Sequence, residues 1–428
     1  MVLTWRAGVL ALLAVPLALV VGPWAWLVAA ALLVVVVVDV VLCPSPRRVR
    51  VARGGTTAVR LGESAEVWFS VTNTAHRRLR GTARNAWVPS AGARGGVRRI
   101  DVPPGERRRW TTLLQPTRRG DRAAGPVVIR TLGPLGCAGR QANHEIPWTV
   151  RVLPPFHSRK HLPSRLARLR ELDGRSVLLQ RGQGTEFDSL REYVPGDDVR
   201  SIEWRATARS NTVVVKTWRP ERDRHVLVVI DSGRTAAGRV GDQPRLDHHL
   251  DAALLLAALA SRAGDRVDLL IADRDVRASV VRTTSSDVIN RMVNAMAPVE
   301  ASLLQSDHRL IVNECLLRIS QRSLVVVLTG LDHASVTDGW LPVLAPLLQR
   351  HRVVFASVTD PRLDELVTDV RDAGEAYAAA AAEVDRKRTT ATASTLRQRG
   401  VSIVQAAPDV LPPALADHYL ALKKAGQL

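Results

Sequence analysis

Two apolar runs open the chain and constrain its fold more than any other feature. In residues 2–21 only Arg6 is charged, and after a Gly-Pro break a second apolar run covers residues 24–42. Each run approaches the roughly 20 apolar residues that a helix needs to cross a bilayer. A cleaved secretory signal also begins with a basic residue before an apolar run, but here a second run of similar length follows at once. The two runs therefore predict a transmembrane helical hairpin over residues 1–46.

The distribution of arginines predicts how this hairpin is oriented. Arg6 precedes the first run, four arginines lie between residues 47 and 53, and the connection between the runs carries no charge. Basic residues flank membrane spans on the cytoplasmic side. We therefore expect a two-pass protein of the cell (inner or plasma) membrane, with both termini and the soluble domains in the cytoplasm. Asp39 is expected to be a helix-end residue that reaches toward water.

The next hundred residues alternate between short apolar-polar stretches and turn residues. Residues 66–72, 107–114 and 125–132 have this strand-like pattern, and Gly, Pro and Asn separate such stretches. Repeated short strands of this kind are typical of an antiparallel β-sandwich, here expected to be immunoglobulin-like. We place this domain at residues 47–155. The basic, Leu-rich segment that follows is interpreted as the start of a linker and motif-bearing region over residues 156–223.

From residue 224 onward the pattern changes to alternating strands and helices. The strand-like runs are residues 225–230, 267–272, 323–329, 353–358 and 401–405, and the helical patterns between them are residues 246–262, 287–296, 308–319, 340–349 and 372–399. Strands that are apolar on both faces predict a mostly parallel sheet covered by helices. Residues 224–428 are therefore expected to form an α/β domain. On one of its helices the adjacent His248 and His249 are expected at the surface.

Composition narrows the chemistry only modestly. Lys and Arg outnumber Asp and Glu by 60 to 41, which favours an anionic partner such as nucleic acid, anionic lipid or an acidic protein. The three cysteines are far apart, so they indicate neither a disulfide framework nor a zinc knuckle. The sequence also lacks a Walker-type phosphate loop, a His-Glu-x-x-His motif and a Gly-x-Ser-x-Gly motif.

The densest run of unusual residues is "GQGTEFDSLREYVPGDDVRSIEWRATARS", at positions 182–210. Its order and spacing resemble the signature of the bacterial domain of unknown function 58 family. The resemblance implies a membrane-tethered protein with a von Willebrand factor A-like α/β domain. It also implies partners, because family members are often encoded beside a MoxR-type AAA+ ATPase and a transglutaminase-like membrane protein. Members have no established catalytic activity.

Eight residues of this signature are candidates for a structural network or a partner-binding surface. They are Glu186, Arg191, Tyr193, Asp197, Asp198, Arg200, Trp204 and Arg209. An ion network that fixes the segment against the sheet, a docking surface for a partner, and catalysis by paired acids are all open interpretations. Nearly every acid has an Arg within a few residues, which lowers carboxylate pKa values and disfavours a general acid.

The stretch Asp-Ser-Gly-Arg-Thr, beginning at Asp231, follows the first strand of the α/β domain. A-domains that bind a metal have Asp-x-Ser-x-Ser here, with both serines on the cation. In this chain the first hydroxyl position is Gly233 and the second is Thr235. A later acid position is occupied by Gly330, and Asp332 lies two residues beyond it. Asp231, Thr235 and Asp332 are thus the remnants of a degenerate magnesium site, and we expect no tightly bound cofactor.

Thr283 and Thr284 are candidates for a second-loop hydroxyl at this site. The other interpretation of Asp231 is a hydrogen-bonded residue in a fold that has lost its ion.

These observations together predict a membrane-anchored, non-enzymatic interaction or scaffold protein. It would lie on the lipid bilayer and work with a MoxR-type AAA+ ATPase. The process would be protein or complex maturation, or one of the cell envelope. The alternative is a protein that binds anionic lipid or nucleic acid through its excess of Arg, although nucleic acid is not the partner we expect. An uncharacterised hydrolase ranks last, because no nucleophile has a recognisable activating base.

Overall fold

A computed structural model describes residues 2–179, 186–210, 212–219, 224–281, 287–368 and 372–428. The chain divides into two compact units, Met1–Pro155 and Phe156–Leu428. Several sheets and helices make the protein a multidomain, mixed α/β structure.

The first unit contains two helices and two sheets. Its helices are α1 (Trp5–Val21) and α2 (Ala25–Leu42), and its strands are β1 (Val2–Leu3), β2 (Val49–Gly55), β3 (Ala58–Arg60), β4 (Ala65–Asn73), β5 (Leu79–Trp87), β6 (Ala93–Arg94), β7 (Val97–Val102), β8 (Arg107–Leu114), β9 (Gly120–Leu132), β10 (Ala138–His144) and β11 (Thr149–Leu153). One sheet contains β2, β4, β6 and β8, and the other contains the remaining strands. Alternate apolar residues, such as Phe69 of β4 and Ile129 of β9, meet in a common buried core.

This core makes the unit a β-sandwich, because apolar side chains from both sheets pack face to face. The pairing is antiparallel except between β3 and β11, which run parallel. The strand expected over residues 107–114 has those bounds in the structure, whereas the one expected at 125–132 begins five residues earlier, at Gly120.

The expectation for Asp39 was wrong, because its carboxylate is fully buried. It accepts hydrogen bonds from the backbone N–H groups of Leu135 at 2.8 Å, Cys137 at 2.7 Å and Ala138 at 2.7 Å. The same loop holds the start of α1, since the Thr4 N–H donates to the carbonyl of Cys137 at 3.0 Å. Both helices are therefore fixed to the sandwich through one loop.

Within the described residues, no helix combines the length and the apolar character required to cross a membrane. Helices α1 and α2 have 17 and 18 residues.

The second unit is built around a sheet between helices. Its elements are α3 (Leu162–Leu179), β12 (Glu186–Glu192), α4 (Trp204–Thr207), β13 (Val214–Arg219), β14 (His225–Asp231), α5 (Arg234–Ala237), β15 (Arg239–Val240), β16 (Gln243–Pro244), α6 (Arg245–Arg262), β17 (Arg266–Ala272), β18 (Val276–Val280), α7 (Val288–Met296), α8 (His308–Arg318), β19 (Leu324–Leu328), α9 (Ala345–Arg350), β20 (Arg352–Val358), α10 (Pro361–Thr368), α11 (Ala373–Gln398), β21 (Ser402–Ala406) and α12 (Leu411–Lys424). The main sheet has the order β18-β17-β14-β19-β20-β21, and β18 is its antiparallel edge strand.

The parallel strands form because β14, β17, β19 and β20 are apolar and buried nearly throughout, which requires helices on both faces of the sheet. The chain leaves β14 toward β17 and β18 and then returns to β19 on the other side. The carboxyl ends of β14 and β19 therefore border the crevice where open α/β sheets bind ligands.

The segment expected to begin a linker is instead packed against this unit. The Ser158 hydroxyl donates to Asp251 of α6 at 2.9 Å, and Arg165 of α3 forms an ion pair with Asp417 of α12 at 3.0 Å. The interpretation of residues 156–179 as a linker therefore differs from the observed structure.

The surface position expected for His249 was also wrong. Helix α6 is buried on nearly all sides, and His249 is fully buried within it. Among the described residues neither ring nitrogen has a hydrogen-bond partner. Burial, with smaller contributions from Arg245 and His248, lowers the pKa of His249 to about 3.

This buried ring makes the stability of the protein sensitive to acid. The unfolded chain binds a proton near pH 6.5, whereas folded His249 stays neutral until about pH 3. The free energy of unfolding therefore has its full value with respect to this ring above pH 6.5. It decreases as the pH falls, by about 2 kcal/mol at pH 5. Denaturant unfolding at pH 7.5 and pH 5 should show this loss in wild type and a smaller loss in His249→Leu. The exposed His76 supplies the control, and equal pH dependence in His249→Leu and His76→Gln would contradict the prediction.

Candidate functional site

Asp231 is the last residue of β14 and lies at the carboxyl edge of the main sheet. Its side chain is 1% exposed. One carboxylate oxygen accepts from the Gly233 N–H at 3.0 Å and from the Ser306 hydroxyl. The other accepts from the Thr329 hydroxyl at 2.7 Å and, more weakly, from the Thr235 hydroxyl at 3.5 Å. Four donors from three loops thus converge on this carboxylate.

The hydroxyl that the sequence lacks at Gly233 is supplied from elsewhere in the chain. A Cβ atom at Gly233 would lie 2.0 Å from the Ser306 Oγ, so a serine at position 233 would not fit without movement. Ser306 precedes α8 and is 75 residues from Asp231. Sequence reasoning missed it because no local motif surrounds it.

The second acid of the degenerate site, Asp332, pairs with Arg245 and not with a group that donates to Asp231. Asp332 is half exposed and lies 3.9 Å from the Arg245 guanidinium, which also donates to the Thr235 carbonyl at 2.9 Å. A Cβ atom at Gly330 would lie 2.7 Å from this guanidinium. A carboxylate at position 330 would therefore require Arg245 to move.

The buried His308 is another neighbour that the sequence did not indicate. Its Nε2 atom lies 4.0 Å from the Asp231 carboxylate and 3.4 Å from the Ser335 hydroxyl, and its ring packs on Trp340. Burial lowers the pKa of His308, while Asp231 and Asp307 oppose that shift. The ring is therefore neutral at neutral pH. Its hydrogen-bond donor atom depends on the tautomer.

Magnesium fits this set of residues poorly. The ion requires near-octahedral oxygen ligands and several retained waters. Here both oxygens of Asp231 already accept hydrogen bonds, the only other acid of the predicted set pairs with Arg245, and that arginine brings a positive charge. Thr283 and Thr284, the guessed second-loop ligands, lie outside the described residues.

A cavity of about 440 Å³ opens beside this cluster and is lined by Arg274, Gln305, Ser306 and Asp307. A larger cavity of about 640 Å³ lies between β18 and α7 rather than at the carboxyl ends of β14 and β19. The smaller cavity adjoins the Asp231 cluster, because Ser306 lines this cavity and also donates a hydrogen bond to Asp231.

The signature residues form a separate small structure. Strands β12 and β13 pair antiparallel, and Glu186 at the start of β12 is opposite Arg219. The Tyr193 N–H donates to the Val213 carbonyl at 2.8 Å, which extends this pairing by one residue. Gly182 and Gly184 of the motif lie outside the described residues.

The acids of the signature hold this structure together locally. Asp197 pairs with Arg191 and also accepts from the Val194 N–H at 2.9 Å, whereas Asp198 accepts from the Arg200 N–H at 2.9 Å. The Arg191 guanidinium and the Val194 N–H lower the pKa of Asp197, so this carboxylate is ionised at neutral pH. Within the described residues these bonds stay inside the signature and do not reach the main sheet.

The remaining candidates of the signature are exposed at the surface of the segment. Arg200 and Arg209 are exposed, and Trp204 is 67% exposed. Four further large apolar residues are also exposed, namely Leu190, Val194 and Val199 of the signature and Val213 just beyond it. We call these five apolar residues the signature surface.

The fold and the site define a protein with a helical hairpin on a β-sandwich and an α/β unit that carries a buried Asp at its sheet edge. Residues 189–399 match the family described as "Protein of unknown function DUF58". The uncharacterized protein Rv1480 of Mycobacterium tuberculosis is 27% identical over 203 residues, which are 47% of this chain and 63% of that protein. The chain thus spans less than two thirds of the length of these mycobacterial relatives.

More distant similarities add little. The uncharacterized protein YeaD of Bacillus subtilis is 25% identical over 113 residues, covering 26% of this chain and 28% of that protein. The CARDB domain of a Pyrococcus furiosus protein, solved with two metal ions, is 16% identical with a TM-score of 0.18, covering 24% of this chain and 91% of that domain. A β-glucosidase from Listeria innocua is 11% identical with a TM-score of 0.15, covering 23% of this chain and 16% of the enzyme. These two structural scores support no statement about fold or function.

Proposed function

We propose that this protein is a membrane-anchored, non-enzymatic interaction protein whose β-sandwich and α/β unit lie on the cytoplasmic face. The exposed surface of α1 and α2 supports the anchor. Leu12, Leu13, Leu19, Leu33 and Val34 are each more than half exposed. Large apolar side chains of this density are costly in water and favourable in lipid. The two helices extend about 26 and 27 Å, a few ångström short of the hydrocarbon thickness of about 30 Å, and a bilayer accommodates such a mismatch by local thinning.

The α/β unit is proposed to be von Willebrand factor A-like. The strand order supports this assignment, because β14 lies at the centre with β17 and β18 on one side and β19, β20 and β21 on the other. Asp231 at the sheet edge is then the counterpart of a metal-site acid, and here it ties three loops together instead of holding an ion. Its role in this proposal is structural.

The signature surface carries the proposal that the protein binds a partner. Its five apolar side chains lie within residues 190–213, and Trp204 and Val199 are 67% and 61% exposed. Asp197 and Asp198 meanwhile bond within the segment and shape its turn. Exposed apolar groups beside exposed arginines are the composition of protein interfaces, in which Trp and Arg are the commonest energetic centres.

The identity of the partner is proposed from the family resemblance. A MoxR-type AAA+ ATPase is the proposed occupant of the signature surface, and a transglutaminase-like membrane protein is a second proposed member of the assembly. The surface would recognise the ATPase or its client without a covalent reaction.

Binding to the ATPase of the same organism tests this function. The full chain in detergent is immobilised, and the affinity of the purified ATPase is measured for wild type and for Val199→Ala/Trp204→Ala. Loss of these two exposed apolar side chains is expected to weaken binding at least about tenfold. The thermal midpoint should stay unchanged, because both side chains are exposed.

The matched control removes one aliphatic and one aromatic side chain of similar exposure elsewhere. Leu317 and Tyr377 are each 81% exposed, so Leu317→Ala/Tyr377→Ala should bind as wild type. Equal affinity of the ATPase for all three proteins, or no binding to wild type, would rule out this surface as the docking site.

A further inference from the structure

One end of the sandwich combines exposed apolar helix surface with a concentration of arginine. Residues 47–155 contain 21 Arg, no Lys and six acidic residues, so they carry +15 of the formal charge of +19 on the chain. Eight of these arginines come from three segments that meet where α2 joins the sandwich. We call them the arginine belt: Arg47, Arg48, Arg50, Arg77, Arg78, Arg80, Arg107 and Arg108.

Strand pairing brings the three segments together. Thr72 of β4 is opposite Arg50 of β2 on one side and Arg107 of β8 on the other, so both arginines stand on the same face of the sheet. The Arg77 guanidinium donates to the carbonyl of Leu42, the last residue of α2, at 3.0 Å. The Thr74 hydroxyl donates to the Arg48 carbonyl at 2.9 Å. The belt therefore lies level with the end of α2.

Acidic residues neutralise only part of the belt. Asp101 pairs with Arg78 at 2.6 Å and lies 3.8 Å from Arg80, and Glu106 pairs with Arg108 at 3.4 Å. In the part of the chain that the structure describes, no ion pair is found for the other five arginines, which are all exposed.

The apolar surface of the helices continues up to this belt. Val41 and Leu42 are exposed in the last turn of α2, and Trp5 is exposed at the first residue of α1. The bond from Arg77 to the Leu42 carbonyl joins the belt to the end of α2, and Asp39 and Thr4 fix both helices to one loop of the sandwich. If the helices enter a bilayer, the belt is level with the headgroups.

We infer that the arginine belt binds the phosphates of anionic phospholipid headgroups. This inference rests on the membrane anchor of the proposed function. Guanidinium groups donate paired hydrogen bonds to phosphate oxygens, and basic residues close to an anionic leaflet each add to membrane affinity. Nucleic acid is the less favoured partner, because an extended polyanion at this end of the sandwich would compete for space with the bilayer around α1 and α2.

The test measures which lipids the full chain retains. Protein is reconstituted into vesicles of phosphatidylcholine with a minor fraction of phosphatidylglycerol, floated on a density gradient, and extracted with a small lipid shell by an amphipathic polymer. The retained shell of wild type is expected to be enriched in phosphatidylglycerol relative to the vesicle. Arg48→Gln/Arg50→Gln/Arg107→Gln should lower the affinity for phosphatidylglycerol on the order of a hundredfold and return the shell to the bulk ratio.

A control with the same loss of charge shows whether the position of the arginines or the net charge determines the lipid enrichment. Arg94, Arg98 and Arg118 are exposed in the sandwich outside the belt, and their triple replacement by Gln should keep the enrichment. Equal loss in both triple variants would overturn the inference. So would a belt variant that loses binding to a DNA duplex while its phosphatidylglycerol enrichment is unchanged.

Two further results keep the proposals separable. Wild type that fails to float with vesicles would contradict the membrane anchor itself, whereas wild type that floats without enrichment contradicts only the belt. If the triple belt variant does not fold, Arg50→Gln alone should still reduce the enrichment, and an unchanged shell in that variant would contradict the inference.

Discussion

Replacing Asp39 by alanine is expected to lower the free energy of unfolding of the Met1–Pro155 unit by about 4 kcal/mol. The carboxylate is fully buried and accepts three backbone N–H groups at 2.7–2.8 Å. Alanine removes three charge-assisted hydrogen bonds and leaves three amides without a partner, and each unsatisfied buried amide is costly. The last turn of α2 should then detach from the loop of residues 133–138.

Tryptophan fluorescence during denaturant unfolding in detergent measures this effect, because seven of the ten tryptophans belong to this unit. Asp101→Ala is the control, since Asp101 forms an exposed ion pair with Arg78 and should change the transition little. Asp39→Asn keeps one acceptor oxygen and should fall between the two. Equal transitions for Asp39→Ala and Asp101→Ala would contradict the role assigned to Asp39.

Replacing Asp231 by alanine is expected to cost about 3–5 kcal/mol of stability in the second unit. The change leaves the hydroxyls of Ser306 and Thr329 and the Gly233 N–H without their acceptor at a buried position. Thr235→Val is the control, because the Thr235 hydroxyl is 3.5 Å from the carboxylate and contributes a weak bond. Denaturant unfolding measures the loss, and hydrogen exchange should show it at the carboxyl ends of β14 and β19.

Magnesium separates the structural role of Asp231 from a role as a metal ligand. If the hydrogen bonds of Asp231 are its function, added magnesium should leave the unfolding midpoint of wild type unchanged. A midpoint that rises with magnesium in wild type but not in Asp231→Ala would contradict the structural role, because only a bound ion stabilises in this manner.

The parallel strands of the second unit could be predicted because burial on both faces leaves a continuous apolar run. Strand β18 was missed for the opposite reason. It is an edge strand whose sequence, Val-Arg-Ala-Ser-Val, has an exposed Arg277 and only one buried residue. The short length and polarity of such a strand give no apolar signal.

The polar residues that were misplaced or missed from the sequence have a different explanation. The donors to Asp39 are backbone amides 96 to 99 residues away, and every residue type except proline carries such an amide. Ser306 reaches Asp231 across 75 residues without a motif. His249 was expected at the surface, yet α6 is covered on nearly all sides by the rest of its unit. These contacts depend on tertiary packing, which local patterns do not encode.

Labelling of introduced cysteines tests the central claim, that the hairpin is inserted in a membrane with the β-sandwich and the α/β unit in the cytoplasm. The natural Cys43, Cys137 and Cys315 are buried and supply a silent background in the folded protein. Trp24 in the hairpin turn and Leu303 in the α/β unit are both exposed. In intact bacterial cells a membrane-impermeant maleimide should label Trp24→Cys, and it should label Leu303→Cys only after permeabilisation. Labelling of Leu303→Cys in intact cells would contradict the account.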